Sequence, residues 1–320
     1  MHPVTSVEDQ ARVVAVTGAS SGIGLATALA AARRGDHLVL LARGLTALQG
    51  AAAACDGEGA ASCRVLPVDV CDAVAVQDAM RTVVGWHGHI DAVVHSAGVV
   101  AYGRFEEVPA EVFDQVIATN VLGPANVARA VLPLMRERGT GAIVVVGSLL
   151  GRIAAPHMSA YAVSKWAVRS LVRHLQVENR DVAGVTISCL SPGGVDTPIY
   201  LLAGNYLGHV GRPPPPVVSP ERVAAAALRL IDHPRRNVEV GATNRLITLG
   251  FTLLPRLYDA IVTPLFDVAA TDLRHPTPAG PGNVLASTPQ AYRLRGGQGS
   301  ASRSIVAAVR SRLRPERQDS

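Results

Sequence analysis

The stretch Arg12-Val-Val-Ala-Val-Thr-Gly18-Ala-Ser-Ser-Gly22-Ile-Gly24 decides the fold of this chain. Its first half is mostly apolar and β-branched, which is typical of a strand buried on both faces. Three glycines follow, and an alanine-rich helical pattern then runs to about Arg34. A tight turn alone could use these glycines. Between a strand and a helix, however, they predict a dinucleotide site, because glycines let the backbone approach a pyrophosphate at a helix N-terminus.

Apolar strands alternate with helical stretches through most of the remaining chain. This alternation implies crossover connections and a parallel sheet. We therefore predict an α/β fold, a Rossmann-type doubly wound parallel sheet with helices on both faces, followed by a C-terminal extension. The substrate site is expected at the carboxyl ends of the strands. The later predicted strands are His37–Ala42, Cys63–Val68, Asp91–His95, Ala142–Gly147, Val185–Leu190 and Val238–Gly241.

A tyrosine and a lysine, Tyr161 and Lys165, are four residues apart and so share one face of a predicted helix. A nearby cation favours the phenolate, so we expect the lysine to lower the pKa of the phenol from its usual value near 10. Such a phenol can exchange a proton with an alcohol or a ketone. Ser148 stands thirteen residues before Tyr161, at the end of the predicted strand that begins at Ala142. The alternatives are a Tyr/Lys pair on a solvated face and a serine that caps a turn.

These motifs resemble those of the short-chain dehydrogenase/reductase (SDR) superfamily. Thr17–Gly24 and Tyr161-x-x-x-Lys165 carry most of the resemblance, which covers roughly residues 10–245. It implies an oxidoreductase that transfers hydride between a nicotinamide and a carbonyl or secondary alcohol. Further motifs match in the family's order: Asp69-Val70, Ser96-Ala97-Gly98, Asn120, Ser148 and Pro192-Gly193.

The resemblance implies a catalytic set of four residues. Ser148 would orient the substrate oxygen, and Tyr161 would give or take the proton. Lys165 would lower the pKa of the tyrosine and bind the nicotinamide ribose. Asn120 would hold a water that connects the lysine to bulk solvent. A mid-helix asparagine is otherwise mildly unfavourable, which agrees with a functional role.

The same resemblance assigns the cofactor contacts. The glycine loop would hold the pyrophosphate, and Asp69 and Val70 would contact the adenine. The segment that begins at Pro192 would hold the nicotinamide. Asp69 could instead cap the helix that begins near Asp72. With Arg43, which the end of the second strand indicates instead, the predicted cofactor residues are Gly18, Ser20, Ser21, Gly22, Ile23, Gly24, Arg43, Asp69, Val70, Ser96, Ala97, Gly98, Asn120, Tyr161, Lys165, Pro192, Gly193, Val195 and Thr197.

The end of the second predicted strand favours NADP(H) over NAD(H). An acid at this position would bind the ribose 2′-hydroxyl. Here the strand ends in Ala42, followed by Arg43, and the nearby acid Asp36 precedes the strand. An arginine can pair with a 2′-phosphate through its planar fork. The alternative is an arginine that simply ends the strand in solvent.

One segment departs from the family pattern. His95-Ser96-Ala97-Gly98 stands where the family usually has Asn-Asn-Ala-Gly. The small residues still allow close packing over the cofactor, so binding should survive. We expect a structural role for His95, because no partner carboxylate or second ligand is near it in sequence.

The domain prediction is one NADP(H)-binding domain over residues 1–245, with a substrate loop at about 196–219. The apolar side chains of this loop favour a lipophilic substrate, such as a sterol, acyl or polyketide ketone, although ordinary lid packing would also explain them. They are Ile199, Tyr200, Leu201, Leu202, Tyr206 and Leu207.

Two further segments complete the domain prediction. Residues 246–270 are apolar but are interrupted by Pro255 and Pro264, which argues against a spanning helix. Peripheral membrane contact and a flap packed on the domain or on a neighbouring subunit remain open. Residues 271–320, rich in Pro, Gly, Ser and Arg, are expected to be a flexible basic tail.

Composition excludes some classes of function. The net charge of +5 comes with arginines concentrated in the tail, so nucleic-acid binding is not predicted. The four cysteines lack metal-ligand spacing and suggest reduced thiols in a cytoplasmic protein, with membrane association left open. The N-terminus shows no secretory pattern. By resemblance we expect a homodimer or homotetramer through the helices of Asn120 and Tyr161. Enoyl reduction, epimerisation and a non-catalytic NADP(H)-binding sensor or scaffold are the alternative functions.

Overall fold

The computed structural model describes residues 11–287 and 293–297 of the chain. Within this part, seven parallel strands form one sheet in the spatial order β10-β7-β6-β4-β1-β2-β3. The strands, including four short ones outside that sheet, are β1 (Val13–Thr17), β2 (His37–Ala42), β3 (Ser62–Pro67), β4 (Ala92–His95), β5 (Ala101–Tyr102), β6 (Gly141–Val146), β7 (Val185–Pro192), β8 (Gly204–Asn205), β9 (His209–Gly211), β10 (Asn237–Val240) and β11 (Thr271–Pro276).

Helices cover both faces of the sheet. One face packs against α1, α2 and α7 through residues such as Leu25, Leu48 and Val223. The other packs against α3, α5 and α6 through residues such as Met80 and Val131. The helices are α1 (Gly22–Ala32), α2 (Leu45–Gly57), α3 (Ala73–His87), α4 (Ala110–Ile117), α5 (Gly123–Arg138), α6 (Ser159–Glu178), α7 (Pro220–Asp232), α8 (Asn244–Leu253) and α9 (Pro255–Ala269). The predicted doubly wound α/β fold is confirmed.

The topology creates a crevice beside β1. This strand pairs with β2 on one side and with β4 on the other, so the strand order reverses there. In open α/β sheets ligands bind at such a switch point, beyond the carboxyl ends of the strands. Thr17 at the end of β1 lies opposite His95 at the end of β4, and the glycine loop follows Thr17 directly.

The C-terminal extension folds back onto this edge. β11 pairs antiparallel with β9, and Val284 is fully buried in an apolar cluster with Ala101 and Val112. Residues 271–287 and 293–297 therefore have defined contacts where the sequence predicted a flexible tail, because strand pairing and apolar burial anchor them. The rest of that predicted tail, 288–292 and 298–320, lies outside the described residues. No helix in the described part is both long enough and apolar enough to span a bilayer.

Candidate active site

Ser148, Tyr161 and Lys165 come together beyond the carboxyl end of β6. Ser148 follows this strand and begins a 3₁₀ turn, where its Oγ accepts a hydrogen bond of 3.1 Å from the Leu150 amide. The Ser148 hydroxyl also lies beside the Tyr161 side chain, where it favours the ionised form of the phenol. Tyr161 and Lys165 lie in the first two turns of α6. The serine is therefore a cap and at the same time a neighbour of the phenol.

Burial shifts the two titratable groups of this set. It raises the pKa of Tyr161 to about 12, and the neighbouring Ser148 hydroxyl offsets part of that rise. It lowers the pKa of Lys165 to about 8. The expectation that the phenol pKa falls below its usual value near 10 is therefore wrong for this structure. The Lys165 ammonium is 5.5 Å from the Tyr161 ring centre and donates to the Val146 carbonyl at 3.0 Å, so desolvation outweighs its charge.

Lys165 is distinctive in the composition as well. It is the only lysine in the 320 residues, and all the other Lys/Arg positions are arginines. A lysine can lose its proton when it is buried, whereas arginine stays charged. The presence of a single lysine in the sequence is therefore a second signal, independent of the Tyr/Lys spacing, that Lys165 belongs to a functional site.

Asn120 lies where the helix between α4 and α5 loosens into a π-turn, Ala118–Leu122. Such turns are frequent at functional sites. Its side chain accepts from the Val99 amide at 2.9 Å and donates to the Val99 carbonyl and to the Ser164 hydroxyl, each at 2.9 Å. Ser164 in turn donates to the Tyr161 carbonyl at 2.7 Å. Sequence reasoning missed Ser164, although it stands inside the Tyr161-to-Lys165 motif.

The glycine loop is shaped for close backbone contact. Gly18 has a φ of +66°, and a Cβ there would lie 2.7 Å from the Ala97 amide nitrogen. A Cβ at Gly24 would lie 2.2 Å from the Gly18 carbonyl oxygen, so only glycine fits. A Cβ at Gly98 would lie 3.2 Å from Asn120 Oδ1, in the space between the loop and the catalytic set.

A cleft beside this loop gathers most of the predicted cofactor residues, namely Gly18, Ser20, Ser21, Gly22, Ile23, Arg43, Asp69, Val70, Ser96, Ala97, Gly98 and Thr197. Tyr161, Lys165, Pro192, Gly193 and Val195 line an adjoining cavity, and Gly24 and Asn120 line neither. The donor set of loop amides, hydroxyls and a guanidinium fits a nicotinamide dinucleotide, and the glycines leave the space that a Cβ would fill.

The two acidic residues after β3, Asp69 and Asp72, have different roles: one caps a helix and the other lines the cleft. Asp72 caps α3 and accepts from the Val74 and Ala75 amides at 3.0 and 2.9 Å. Asp69 accepts from the Cys71 amide at 2.9 Å and faces the cleft. The helix cap is therefore Asp72 and not Asp69.

His95 stands at the position where the family usually has an asparagine, and it forms a buried hydrogen bond with Thr17. The Thr17 hydroxyl oxygen accepts from the Ser96 and Ala97 amides at 3.2 and 3.3 Å, so its own hydrogen points to His95 Nδ1, 3.0 Å away. Burial, with a smaller effect from the charge of Lys165, lowers the pKa of His95 to about 3. The neutral ring then carries its proton on Nε2, which has no hydrogen-bond partner among the described residues.

The adjoining cavity is large and mostly apolar. It holds about 830 Å³ and opens onto Ser148, Tyr161 and Lys165. From the predicted substrate loop, Ile199 and Tyr200 line it, whereas Leu201, Tyr206 and Leu207 do not and Leu202 lines the cofactor cleft instead. The sequence analysis missed the contribution of the C-terminal helices, which supply Leu246, Leu254, Leu257, Tyr258, Ile261, Val262, Leu265 and Phe266.

Comparison with known proteins agrees with this geometry. The family model described as short chain dehydrogenase matches residues 12–201. The chain is 32% identical over 254 residues to the uncharacterized oxidoreductase YxnA of Bacillus subtilis, which covers 78% of this chain and 71% of that one.

Two solved structures are similar. The alcohol dehydrogenase of the archaeon Thermococcus sibiricus, complexed with 5-hydroxy-NADP, has a TM-score of 0.63 and 31% identity, covering 72% of this chain and 96% of that one. A short chain dehydrogenase/reductase of Burkholderia phymatum in complex with NAD has a TM-score of 0.67 and 27% identity, covering 77% and 96%. With the family match, the fold and the site geometry, this chain belongs to the short-chain dehydrogenase/reductase family and is an oxidoreductase of that family.

Proposed function

We propose that the protein is an NADP(H)-dependent oxidoreductase that interconverts a carbonyl and a secondary alcohol on a lipophilic small molecule of the sterol, acyl or polyketide type. The observation that carries this proposal is the position of Ser148, Tyr161 and Lys165 on an apolar cavity of about 830 Å³ beside the dinucleotide cleft. A cavity of this size can enclose a drug-sized molecule.

In the proposed reaction, bound NADP(H) supplies or accepts the hydride. Tyr161 gives its proton to the carbonyl oxygen during reduction and takes it back during oxidation. Ser148 donates a hydrogen bond to the same oxygen and stabilises the developing alkoxide charge. A phenol with a pKa of about 12 is fully protonated near neutral pH, which suits the acid role.

The other polar residues support this pair. Lys165 would bind the nicotinamide ribose and stabilise negative charge on Tyr161 after proton transfer. Asn120 would act as the fourth member of the set; its amide hydrogens are already directed to Val99 and Ser164, which fixes its orientation beside Gly98. The apolar lining of the cavity would limit the access of water to the reacting atoms.

The preference for NADP(H) over NAD(H) rests on the end of β2. Arg43 lines the cleft there, directly after Ala42, and no acid takes the place that would bind a 2′-hydroxyl. A guanidinium can form paired hydrogen bonds with a phosphate. Replacement Arg43→Asp is therefore expected to shift preference toward NADH, and Arg173→Asp, on an exposed position of α6, serves as the charge-matched control.

The first experiment is titration of the purified protein with NADPH and NADH, followed by a screen of ketones for NADPH consumption. We expect tighter binding of NADPH and turnover of bulky lipophilic ketones in preference to small polar ones. Tight binding without turnover of any ketone would contradict the enzymatic proposal. Equal binding of both cofactors would contradict the cofactor preference alone.

Assembly and membrane contact are two further parts of the proposal. We propose a homodimer or homotetramer, to be measured by light scattering on the full chain. We also propose that α8 and α9 contact an anionic membrane surface, from which a lipophilic substrate could enter the cavity. Exposed arginines, Arg245 and Arg256, accompany a group of exposed apolar side chains: Leu246, Leu249, Leu253, Leu254, Leu257, Ile261 and Leu265.

The membrane proposal is tested with vesicles. Leu249 and Leu253 are exposed on α8 and do not line the cavity, so Leu249→Asp with Leu253→Asp should reduce sedimentation with phosphatidylserine vesicles without blocking turnover. Leu45→Asp changes an exposed leucine of α2 and is the control. Wild-type protein that fails to sediment with such vesicles would contradict membrane contact and leave the enzymatic proposal unaffected.

A further inference from the structure

The C-terminal strap, defined as residues 277–287 and 293–297, runs along the cofactor cleft. Asn283 and Ser287 line the cleft together with Arg43. Farther along, the Gly22 amide of the glycine loop donates to the Arg293 carbonyl at 3.1 Å. A segment from the end of the described chain thus forms part of the wall of a site that begins at residue 18.

The strap is anchored by groups outside the cleft. Gly280 and Asn205 exchange backbone hydrogen bonds of 2.8 and 2.9 Å, and the Asn283 amide donates to the Leu202 carbonyl at 2.8 Å. Gly282 adopts a φ of +55°, and a Cβ there would lie 2.3 Å from the Ala203 carbonyl oxygen. Burial of Val284 then holds the turn against the domain. The backbone path of the strap over residues 280–284 is therefore fixed by its contacts with the rest of the domain.

The strap controls the direction of the Arg43 guanidinium. Its Nη2 donates to the Asn283 carbonyl at 2.6 Å and its Nη1 to the Val284 carbonyl at 3.3 Å. Two bonds from one planar fork fix its plane, and the guanidinium has more N–H groups than these two bonds use. Among the described residues, Arg43 therefore has a guanidinium of fixed orientation and N–H groups that these two bonds leave available to a ligand.

Ser287 brings a hydroxyl to the same place. Its Cβ and Oγ are the atoms nearest to a Cβ built on Gly44, both at 4.0 Å. Gly44 directly follows Arg43 and precedes the first turn of α2. A guanidinium and a hydroxyl beside the start of a helix form a donor set that suits a phosphate dianion.

We propose that the C-terminal strap completes the subsite for the 2′-phosphate of NADP(H). The backbone carbonyls of Asn283 and Val284 position Arg43, and the Ser287 hydroxyl is a direct ligand of the phosphate. This inference rests on the proposed preference for NADP(H) and extends it to residues about 240 positions away from the arginine in sequence.

The positioning role is tested with a matched pair of glycine variants. Gly282→Ala should displace the strap, whereas Gly280→Ala should not, because a Cβ at Gly280 meets no atom within 4 Å. Calorimetric titration compares adenosine 2′,5′-bisphosphate with AMP, which lacks the 2′-phosphate. We expect the preference for the bisphosphate to fall about tenfold in Gly282→Ala, as for loss of one hydrogen bond to a charged group, and to persist in Gly280→Ala. A merely structural effect would weaken both ligands equally.

The ligand role is tested at Ser287 without disturbing the path of the strap. Ser287→Asp should weaken the bisphosphate about tenfold through charge repulsion and leave AMP binding within about twofold. Ala286→Asp adds the same charge one residue away, on an exposed side chain that does not line the cleft. If Ser287→Asp and Ala286→Asp bind the bisphosphate equally well, Ser287 is not a ligand.

The outcomes separate this inference from the proposed function. Wild-type protein that binds the bisphosphate no better than AMP would contradict the NADP(H) preference, and the strap proposal with it. A wild-type preference that persists in both Gly282→Ala and Ser287→Asp would overturn the strap proposal and leave the proposed function intact. Loss of the preference in these two variants, with both controls retaining it, supports the inference.

Discussion

The ammonium nitrogen of Lys165 lies 5.5 Å from the ring centre of Tyr161 in the buried end of the site. Burial lowers the pKa of the lysine to about 8 and raises the pKa of the tyrosine to about 12, so it favours the neutral form of each group. The charged state of either group loses hydration there, so each is held closer to neutrality than in water. Near neutral pH the phenol therefore keeps its proton, and the lysine is close to the pH at which it loses its charge.

The lowered pKa of Lys165 can be measured directly. Because it is the only lysine, protein with ¹³C-labelled lysine gives one side-chain signal. We expect this signal to titrate with a midpoint near pH 8 in the cofactor-free protein. A midpoint near the ordinary lysine value of about 10.5 would show that the ammonium is hydrated and that burial does not control the site.

Removal of the Tyr161 hydroxyl should separate chemistry from cofactor binding. Tyr161→Phe is expected to lower kcat for ketone reduction at least about a hundredfold, since it removes the group that donates the proton in the proposed reaction. The affinity for NADPH should change less than about twofold, because the ring and its packing remain. Tyr206→Phe, which removes a phenol that does not line the cavity, is the control. Turnover of Tyr161→Phe at the control rate would contradict the proposed proton transfer.

The sequence predicted the sheet well because its strands are continuous apolar runs. β2 has the predicted bounds, His37–Ala42, and its interior residues are fully buried. The contribution of α8 and α9 was harder to predict. Pro255 and Pro264 interrupt the apolar pattern in the sequence. In the structure, Pro255 occupies the first turn of α9, where its missing N–H is not needed, and Pro264 is accommodated inside the helix.

In the site, too, some features could be predicted from the sequence and others could not. The residues of local motifs, such as Tyr161 and Lys165, could be found because their spacing within one helix fixes their relation. The strap contacts of Arg43 could not, because they join residues about 240 positions apart through backbone carbonyls, which any side chain could supply. The burial that raises the pKa of Tyr161 is likewise a property of the packed cavity and has no sequence signature.

His95 should make the protein sensitive to acid. Its pKa is about 3 in the folded state and about 6.5 when unfolded, so below pH 6.5 the unfolded state binds a proton that the folded state excludes. The free energy of unfolding therefore falls as the pH decreases from 6.5 toward 3. Between pH 6.5 and 5 the expected loss is about 2 kcal/mol.

His95→Asn removes this titration and keeps a polar side chain beside Thr17. Denaturant unfolding at pH 7 and pH 5 should show a smaller pH-dependent loss in this variant by about 2 kcal/mol. His174→Asn, at an exposed position of α6, should lose as much as the wild type. Equal losses in wild type and His95→Asn would mean that the buried ring accepts a proton without cost.

The size of the cavity should decide which ketones are reduced. Ala155 lines it, whereas its neighbour Ala154 is exposed and does not. Ala155→Phe fills part of the space, so KM for a bulky lipophilic ketone should rise about tenfold, the cost of displacing roughly two buried methylene groups. A small ketone should keep its KM, because it does not extend to the filled region. Ala154→Phe adds the same ring outside the cavity and should leave both substrates unchanged. If Ala155→Phe affects the small and the bulky ketone equally, the cavity is not the binding site for the apolar part of the substrate.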